Sequence, residues 1–203
     1  MKKLILALIL VGSLNLGRAT DYTYNFNPTG LPATLDGSYY YEWGISWSLP
    51  TGQSIVDATL TYDNIKLTIA GINPPDYLYS TLLASAPKGV TSYYDGDDNV
   101  LHPSGTGVFA LGKAPFNSVG SSYSSLQYDF AGISGALAAL DADVAGGQFG
   151  IGIDPHCHYS YSSITLDIVT TDNGHPHGLV PDAAATAMLL GMALVGLGIY
   201  RRK

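Results

Sequence analysis

Six aromatic or aliphatic side chains occupy alternate positions of the stretch GSYYYEWGISWSLP: Tyr39, Tyr41, Trp43, Ile45, Trp47 and Leu49, with Tyr40, Glu42, Gly44, Ser46 and Ser48 between them. Alternation puts one set on each face of an extended chain, whereas a helix would scatter the aromatics around its circumference. This part of the chain is therefore committed to a strand with one face in a core. The period of two recurs in shorter runs. Tyr22, Tyr24 and Phe26 alternate with Thr23 and Asn25, and Leu126, Tyr128 and Phe130 with Gln127 and Asp129. Phe149, Ile151 and Ile153 alternate with glycines, and Ile164, Leu166 and Ile168 with Thr165 and Asp167. These last two runs read as neighbouring antiparallel strands joined by DPHCHYSYSS.

In DATLTYDNIKLTIAG the apolar set passes from Ala58, Leu60, Tyr62 to Ile65, Leu67, Ile69, so the phase slips by one residue at Asp63-Asn64. Such a slip turns every later side chain to the other face unless a bulge or corner absorbs it, and one is expected there with strand on either side. Only SGALAALDADVAGG has helical spacing, through Leu137, Leu140 and Val144, with Ser134 placed as a cap and Gly146 as a stop. The stretch ASAPKGVTSYYDGDDNVLHPSGTG is polar and glycine-rich, and reads as a long loop. About nine strand-like runs, frequent Gly, Pro, Ser and Asp punctuation and one short helix predict an all-β fold: an antiparallel β-sandwich of jelly-roll or Greek-key type. No internal repeat, P-loop, dinucleotide fingerprint or nucleophile elbow is present.

The ends have a different character. Residues 1–19, MKKLILALILVGSLNLGRA, join two lysines, an apolar run and a small-residue exit, the arrangement of a secretory signal peptide cut after Ala19. The sandwich domain is expected over residues 20–170, a polar linker over 171–179, and a separate C-terminal segment over 180–203. Residues 20–178 hold three lysines (Lys66, Lys88, Lys113) against fifteen acidic side chains, a balance of −12. A surface so acidic repels phosphate backbones, so nucleic acid is not an expected partner. Cys157 is the single cysteine, so no intramolecular disulfide can form, and it is expected to be buried.

Three chemistries remain open for the body. The run DGDDN sets oxygen donors at Asp95, Asp97 and Asp98 as a calcium loop begins, but Val100 and Thr106 stand where an EF-hand needs Gly and Glu, leaving only a looser calcium site. If IDPHCHYSY stays extended, Asp154, His156 and His158 share one side and Cys157 takes the other, an arrangement that offers Asp154 and His158 as metal ligands. His175 and His177 fall in the linker. No cofactor is expected, calcium being the one ion that the acidic loop could take. The fourteen tyrosines of the body suit sugar stacking, because a flat ring with a polar tip matches a pyranose face. Tyr40, Tyr93, Tyr94, Tyr159 and Tyr161 are the candidates, being on the even face or in loops, whereas the odd-numbered aromatics from Tyr39 to Trp47 are expected in the core. A secreted hydrolase would need two carboxylates converging across a cleft, and composition selects no such pair.

The C-terminal segment reads VPDAAATAMLLGMALVGLGIYRRK. Ala183 to Tyr200 is eighteen uncharged residues, at about 1.5 Å each enough for a helix to span a bilayer core, and the basic residues after it place the C-terminus in the cytoplasm. The order of a short motif (Val180, Pro181, Asp182), small residues, an apolar helix and a basic cluster with Arg201 and Arg202 resembles the PEP-CTERM class of C-terminal sorting signals, in its VPDSG-CTERM-like variant. Ala183 and Ala184 stand where Ser-Gly or Gly-Gly is usual. The resemblance implies an exosortase-type membrane protease as partner. It further implies export in a Gram-negative-type bacterium through an inner-membrane intermediate to the cell surface or extracellular matrix. In the body, LTYDNIKL, YLYSTLL and FGIGIDPHCHYSYSSITLDI are similar to uncharacterised bacterial β-sandwich domains, a likeness that implies no activity. The expected function is therefore a non-enzymatic exported surface protein, with a carbohydrate-binding module acting on exopolysaccharide as the alternative.

Overall fold

Seventeen residues long, β4 (Gln53–Ile69) organises one of two sheets in the structure, a computed structural model that describes residues 20–71, 75–96 and 101–173. The first part of β4 pairs with β11 (Ser163–Asp172), its last part with β10 (His158–Ser160), and its opposite side with β8 (Ser122–Asp129). Beyond β11 lies β1 (Asp21–Phe26), and beyond β10 the two-residue β2 (Thr34–Leu35). The second sheet runs in the order β6 (Gly89–Tyr94), β3 (Tyr39–Ile45), β9 (Phe149–Pro155), β5 (Asp76–Leu83), β7 (Val108–Phe116). Every pairing between these strands is antiparallel. With β1/β2 and β10/β11 each taken as one interrupted strand, the pairs nest as β1/β2 with β10/β11, β3 with β9, β4 with β8 and β5 with β7. That is the wrapped order of a jelly roll, with β6 added at the edge beside β3.

Alternation along each strand supplies the core between the sheets. Tyr41, Trp43 and Ile45 of β3 and Phe149, Ile151 and Ile153 of β9 meet Leu60 and Tyr62 of β4 and Leu166 and Ile168 of β11, all buried. Each such aliphatic or aromatic side chain contributes about 1.5–3 kcal/mol through its removal from water. Tyr62 carries a hydroxyl into this interior and shares a 2.7 Å hydrogen bond with Ser80 Oγ, while burial raises its pKa.

The phase slip is real, and β4 runs through it unbroken. Asn64 has φ of 51°, a left-handed conformation that Asn tolerates better than most residues, so Tyr62 and Ile65 both point inward. The neighbouring strand slips in step: Tyr62 lies opposite Leu126, Ile65 opposite Tyr123, and all four pack in or against the core. The Asn64 side-chain amide donates to Ser162 Oγ at 2.8 Å, tying the corner to the turn between β10 and β11.

Four expectations are corrected. The strands β9 and β11 are not neighbours, because after Pro155 the chain leaves one sheet and enters the other at His158; β9 lies between β3 and β5. The expected loop from Ala84 contains a strand, β6, whose hydrogen-bonding partner β3 overrides its glycine-rich surroundings. Ser134 does not cap the helix α1 (Ala136–Val144): Gly135 holds the cap position in a left-handed conformation with no side-chain hydrogen bond. The strand beginning at Tyr39 ends at Ile45, and Trp47 instead packs its ring on Tyr24 and Phe26 at 4.9 and 5.7 Å between centroids.

No helix among the described residues is long and apolar enough to cross a membrane. The leader over residues 1–19, the linker with His175 and His177, and the segment with Val180, Pro181, Asp182, Arg201 and Arg202 lie outside the described residues, as do Asp97 and Asp98.

Candidate functional site

The ribbon of β3 and β6 carries tyrosines on both faces, because in register Tyr39 opposes Tyr94 and Tyr40 opposes Tyr93. Cross-strand pairs of this kind bring rings into contact. On the outer face Tyr40 and Tyr93 stack at 5.0 Å and 16° between planes, and His102 also stacks on Tyr40 at 5.4 Å and 14°. Tyr40 is thus the middle ring of three. It is half-buried, and burial followed by the nearby Glu42 carboxylate raises its pKa. Tyr93 lies at the end of the stack, hydrogen-bonded to Glu42, whose charge is the main cause of its raised pKa.

Glu42 is the only glutamate in the chain. Burial raises its pKa and the Tyr93 hydroxyl partly offsets that. The folded form therefore binds this proton more readily than the unfolded form, for which the ordinary value is 4.5. The stability that follows is present at low pH and declines as pH rises through the window just above that value. Thermal melts of Glu42→Gln against pH should lack this decline, and an unchanged slope would show that Glu42 titrates normally.

On the other face of the ribbon, Tyr39 and Tyr94 meet edge to face at 5.6 Å, with Tyr94 74% exposed and Tyr39 37%. Beside them opens a cleft of about 430 Å³, walled by Tyr39, Val90 and Ser92 on the ribbon and by Pro32, Thr34 and Asp36 on the segment leading through β2. Tyr41 forms part of its lining, and its hydroxyl accepts the Asp36 N–H at 3.0 Å. Asp36 is held in turn: its carboxylate accepts the Ser38 N–H at 3.0 Å and lies 3.4 Å from His158 Nε2. Tyr161, half-buried, braces this wall from behind by donating to the Pro32 carbonyl at 2.7 Å. The lining of the cleft brings together an exposed aromatic ring, hydroxyls and one carboxylate.

Tyr159, expected as a stacking residue, is completely buried and packs edge-on against Phe116 at 4.8 Å. Its strand, β10, lies between β4 and β2 with this ring turned into the core, so it offers no face to a ligand. Asp154 and His158 do not come together as metal ligands. Extended geometry past Pro155 was the condition for that, and the change of sheet breaks it: Asp154 opposes Tyr79 in one sheet while His158 opposes Ile69 in the other. Buried Asp154 instead accepts the His102 N–H at 2.8 Å, which ties the segment after residue 100 to the sheet's outer face. Gly152 makes room for that segment, since a β-carbon there would lie 2.9 Å from Pro103 Cδ. Cys157 is buried, as expected, and its thiol donates to the buried Asp76 carboxylate at 3.1 Å; the Gly71 N–H donates to the same carboxylate. Asp95 stands at the end of β6, its N–H bonded to the Ser38 carbonyl. Among the described residues no group of three or more His, Cys, Asp and Glu side chains could hold a metal ion.

Two further tyrosines were missed. Tyr77 and Tyr79 alternate in DYLYS and stand on the outer face of β5, where the Lys113 amino group sits 4.1 Å from the Tyr77 ring centroid, with His156 4.6 Å from the Tyr79 ring. Their period-two spacing was the available signal. No protein-family model matches the chain, and comparison with curated proteins and with solved structures finds no match.

Proposed function

We propose that this chain is a non-enzymatic exported β-sandwich that holds exopolysaccharide at the β3–β6 edge. The observation that carries the reading is the exposed Tyr94–Tyr39 pair beside a cleft of about 430 Å³ that is lined with hydroxyls and a carboxylate. Stacking of an aromatic ring on a sugar face needs an accessible π-surface next to hydrogen-bonding groups, and this edge supplies both. A hydrolase would need a second carboxylate facing the first, and Asp36 is the only one lining the cleft among the described residues. Export is supported by the lysine-led leader, and delivery to the surface by the VPD motif, apolar run and basic end of the tail.

A glycan array probed with the purified full chain tests the binding. Wild type should retain a set of oligosaccharides that Tyr94→Ala binds at least about fivefold more weakly, the loss of one stacked ring being worth about 1–3 kcal/mol by analogy with base stacking on aromatics. Silence of the whole array, or equal binding by the variant, would remove the reading. Mass spectrometry of membrane and medium fractions tests the sorting. The tail should be missing from the released protein, and an intact C-terminal Arg-Arg-Lys in every fraction would make the segment a permanent anchor.

A further inference from the structure

The cleft beside Tyr39 has a charge as well as a shape. Asp36 is its one charged lining residue among those described, with its side chain 41% exposed. Asp95 flanks the same corner through its N–H bond to Ser38, the residue whose own N–H the Asp36 carboxylate accepts. The basic group that meets Asp36 among the described residues is His158, 3.4 Å away. None of the three lysines of the body lines the cleft: Lys113 is over Tyr77, Lys66 is in β4, two strands from Thr34, and Lys88 lies in a separate hollow with Trp43 and Asn25. A uronic acid placed on Tyr39 would bring its carboxylate toward Asp36 with no lysine or arginine lining the cleft to receive it. An ammonium group in the same place would gain a charge-assisted hydrogen bond.

Hydrogen bonding points the same way. Tyr41 is 4% exposed, and its hydroxyl oxygen is already taken up by the Asp36 N–H. Among the described residues that hydroxyl donates to no acceptor, so a ligand hydroxyl reaching the cleft floor finds a donor there. Ser92 and Thr34 add hydroxyls on the two walls. The set comprises an aromatic wall, an anion, a buried donor and rim hydroxyls.

We infer that the cleft selects a cationic amino sugar: a hexosamine residue with a free amine, within a polysaccharide that is at least partly deacetylated. Its ring stacks on one ring of the edge-to-face Tyr39–Tyr94 pair, and its ammonium meets Asp36. This rests on the glycan-binding reading and narrows it to one sugar class.

The test is calorimetric titration of the full chain with four probes of equal length: a glucosamine oligomer, its N-acetylated counterpart, a neutral gluco-oligomer and an oligouronate. The glucosamine oligomer should bind about tenfold more tightly than the acetylated one, the gain expected of one hydrogen bond between charged groups. Added salt should erode that preference but not the binding of the acetylated oligomer. Asp36→Asn, which keeps an acceptor for the Ser38 N–H, should abolish the preference, so that the glucosamine and acetylated oligomers bind it with equal affinity. Thermal melts establish that the variant is folded, and Asp36→Ser serves if it is not. Equal or tighter binding of the neutral, acetylated or uronate probe would overturn the inference while leaving the glycan reading in place. Binding of none of the four, with a silent array, would overturn both.

Discussion

Replacing Gly44 by alanine is expected to destabilise the sandwich by about 3 kcal/mol or more, the upper range for inserting atoms where none fit. Gly44 lies in β3 where the 86–88 segment crosses it, forming an isolated parallel bridge with Lys88. A β-carbon there would overlap the Pro87 carbonyl and come to 2.8 Å from that of Ala86. Both obstacles are backbone, so no rotamer change relieves them. Ala86 is itself buried and packs against Gly150 on the neighbouring strand, which leaves the segment nowhere to retreat. At about 2–4 °C per kcal/mol for a domain of this size, the midpoint of thermal unfolding should fall by roughly 6–12 °C. A fall of less than a couple of degrees by calorimetry would mean that the segment lifts off freely. Because β6 begins at Gly89, directly after this crossing, the variant should also weaken the tyrosine edge.

Tyr159 offers the second large effect, and two substitutions separate its ring from its hydroxyl. Truncation to alanine should cost about 3–5 kcal/mol, as for other large buried aromatics, since the ring is fully enclosed against Phe116. Removal of the hydroxyl alone should cost nothing and could gain up to about 1 kcal/mol, because that oxygen is buried with no hydrogen-bond partner among the described residues. Tyr62→Phe provides the contrast: it breaks a buried 2.7 Å bond to Ser80 and should cost about 1–2 kcal/mol. Urea unfolding of the three variants measures all of this. A substantial loss in Tyr159→Phe would reveal a partner for the hydroxyl. Neither Tyr159 variant, where folded, should alter glycan binding at the edge.

Period-two alternation made the strands legible, and the slip at Asp63-Asn64 even located the corner, because each depends on local geometry alone. What alternation does not encode is which strand lies beside which. Phe149–Ile153 and Ile164–Ile168 looked like a hairpin because ten residues separate them, yet His156 and Cys157 carry the chain from one sheet to the other. The same crossing decided two of the candidates, for Asp154 and His158 were expected side by side on the assumption of one continuous strand. Tyr93 and Tyr94 were singled out as loop tyrosines and prove to be strand residues, exposed through their place on the edge. Tyr39 was assigned to the core by its phase, and the strand's first residue is instead 37% exposed and lines the cleft. Phase predicts a face, but whether that face is covered depends on how far the other sheet extends.

The long strand β4 also sets a direction through the molecule. At one end its Gln53 pairs with Asp172, where the chain leaves the sandwich, and at the other its Lys66 pairs with Ser160, which in turn pairs with Thr34 at the cleft wall. Those ends are roughly 40 Å apart at about 3.3 Å per residue. A tension applied between a polysaccharide held in the cleft and the chain beyond Asn173 would therefore run lengthwise along β4 and β11. Because β11 is flanked by β1 on one side and β4 on the other, such a pull would load its ladder hydrogen bonds together in shear, whereas a crosswise pull would unzip them one at a time. Along that line the ladder bonds on both sides of β11 act together.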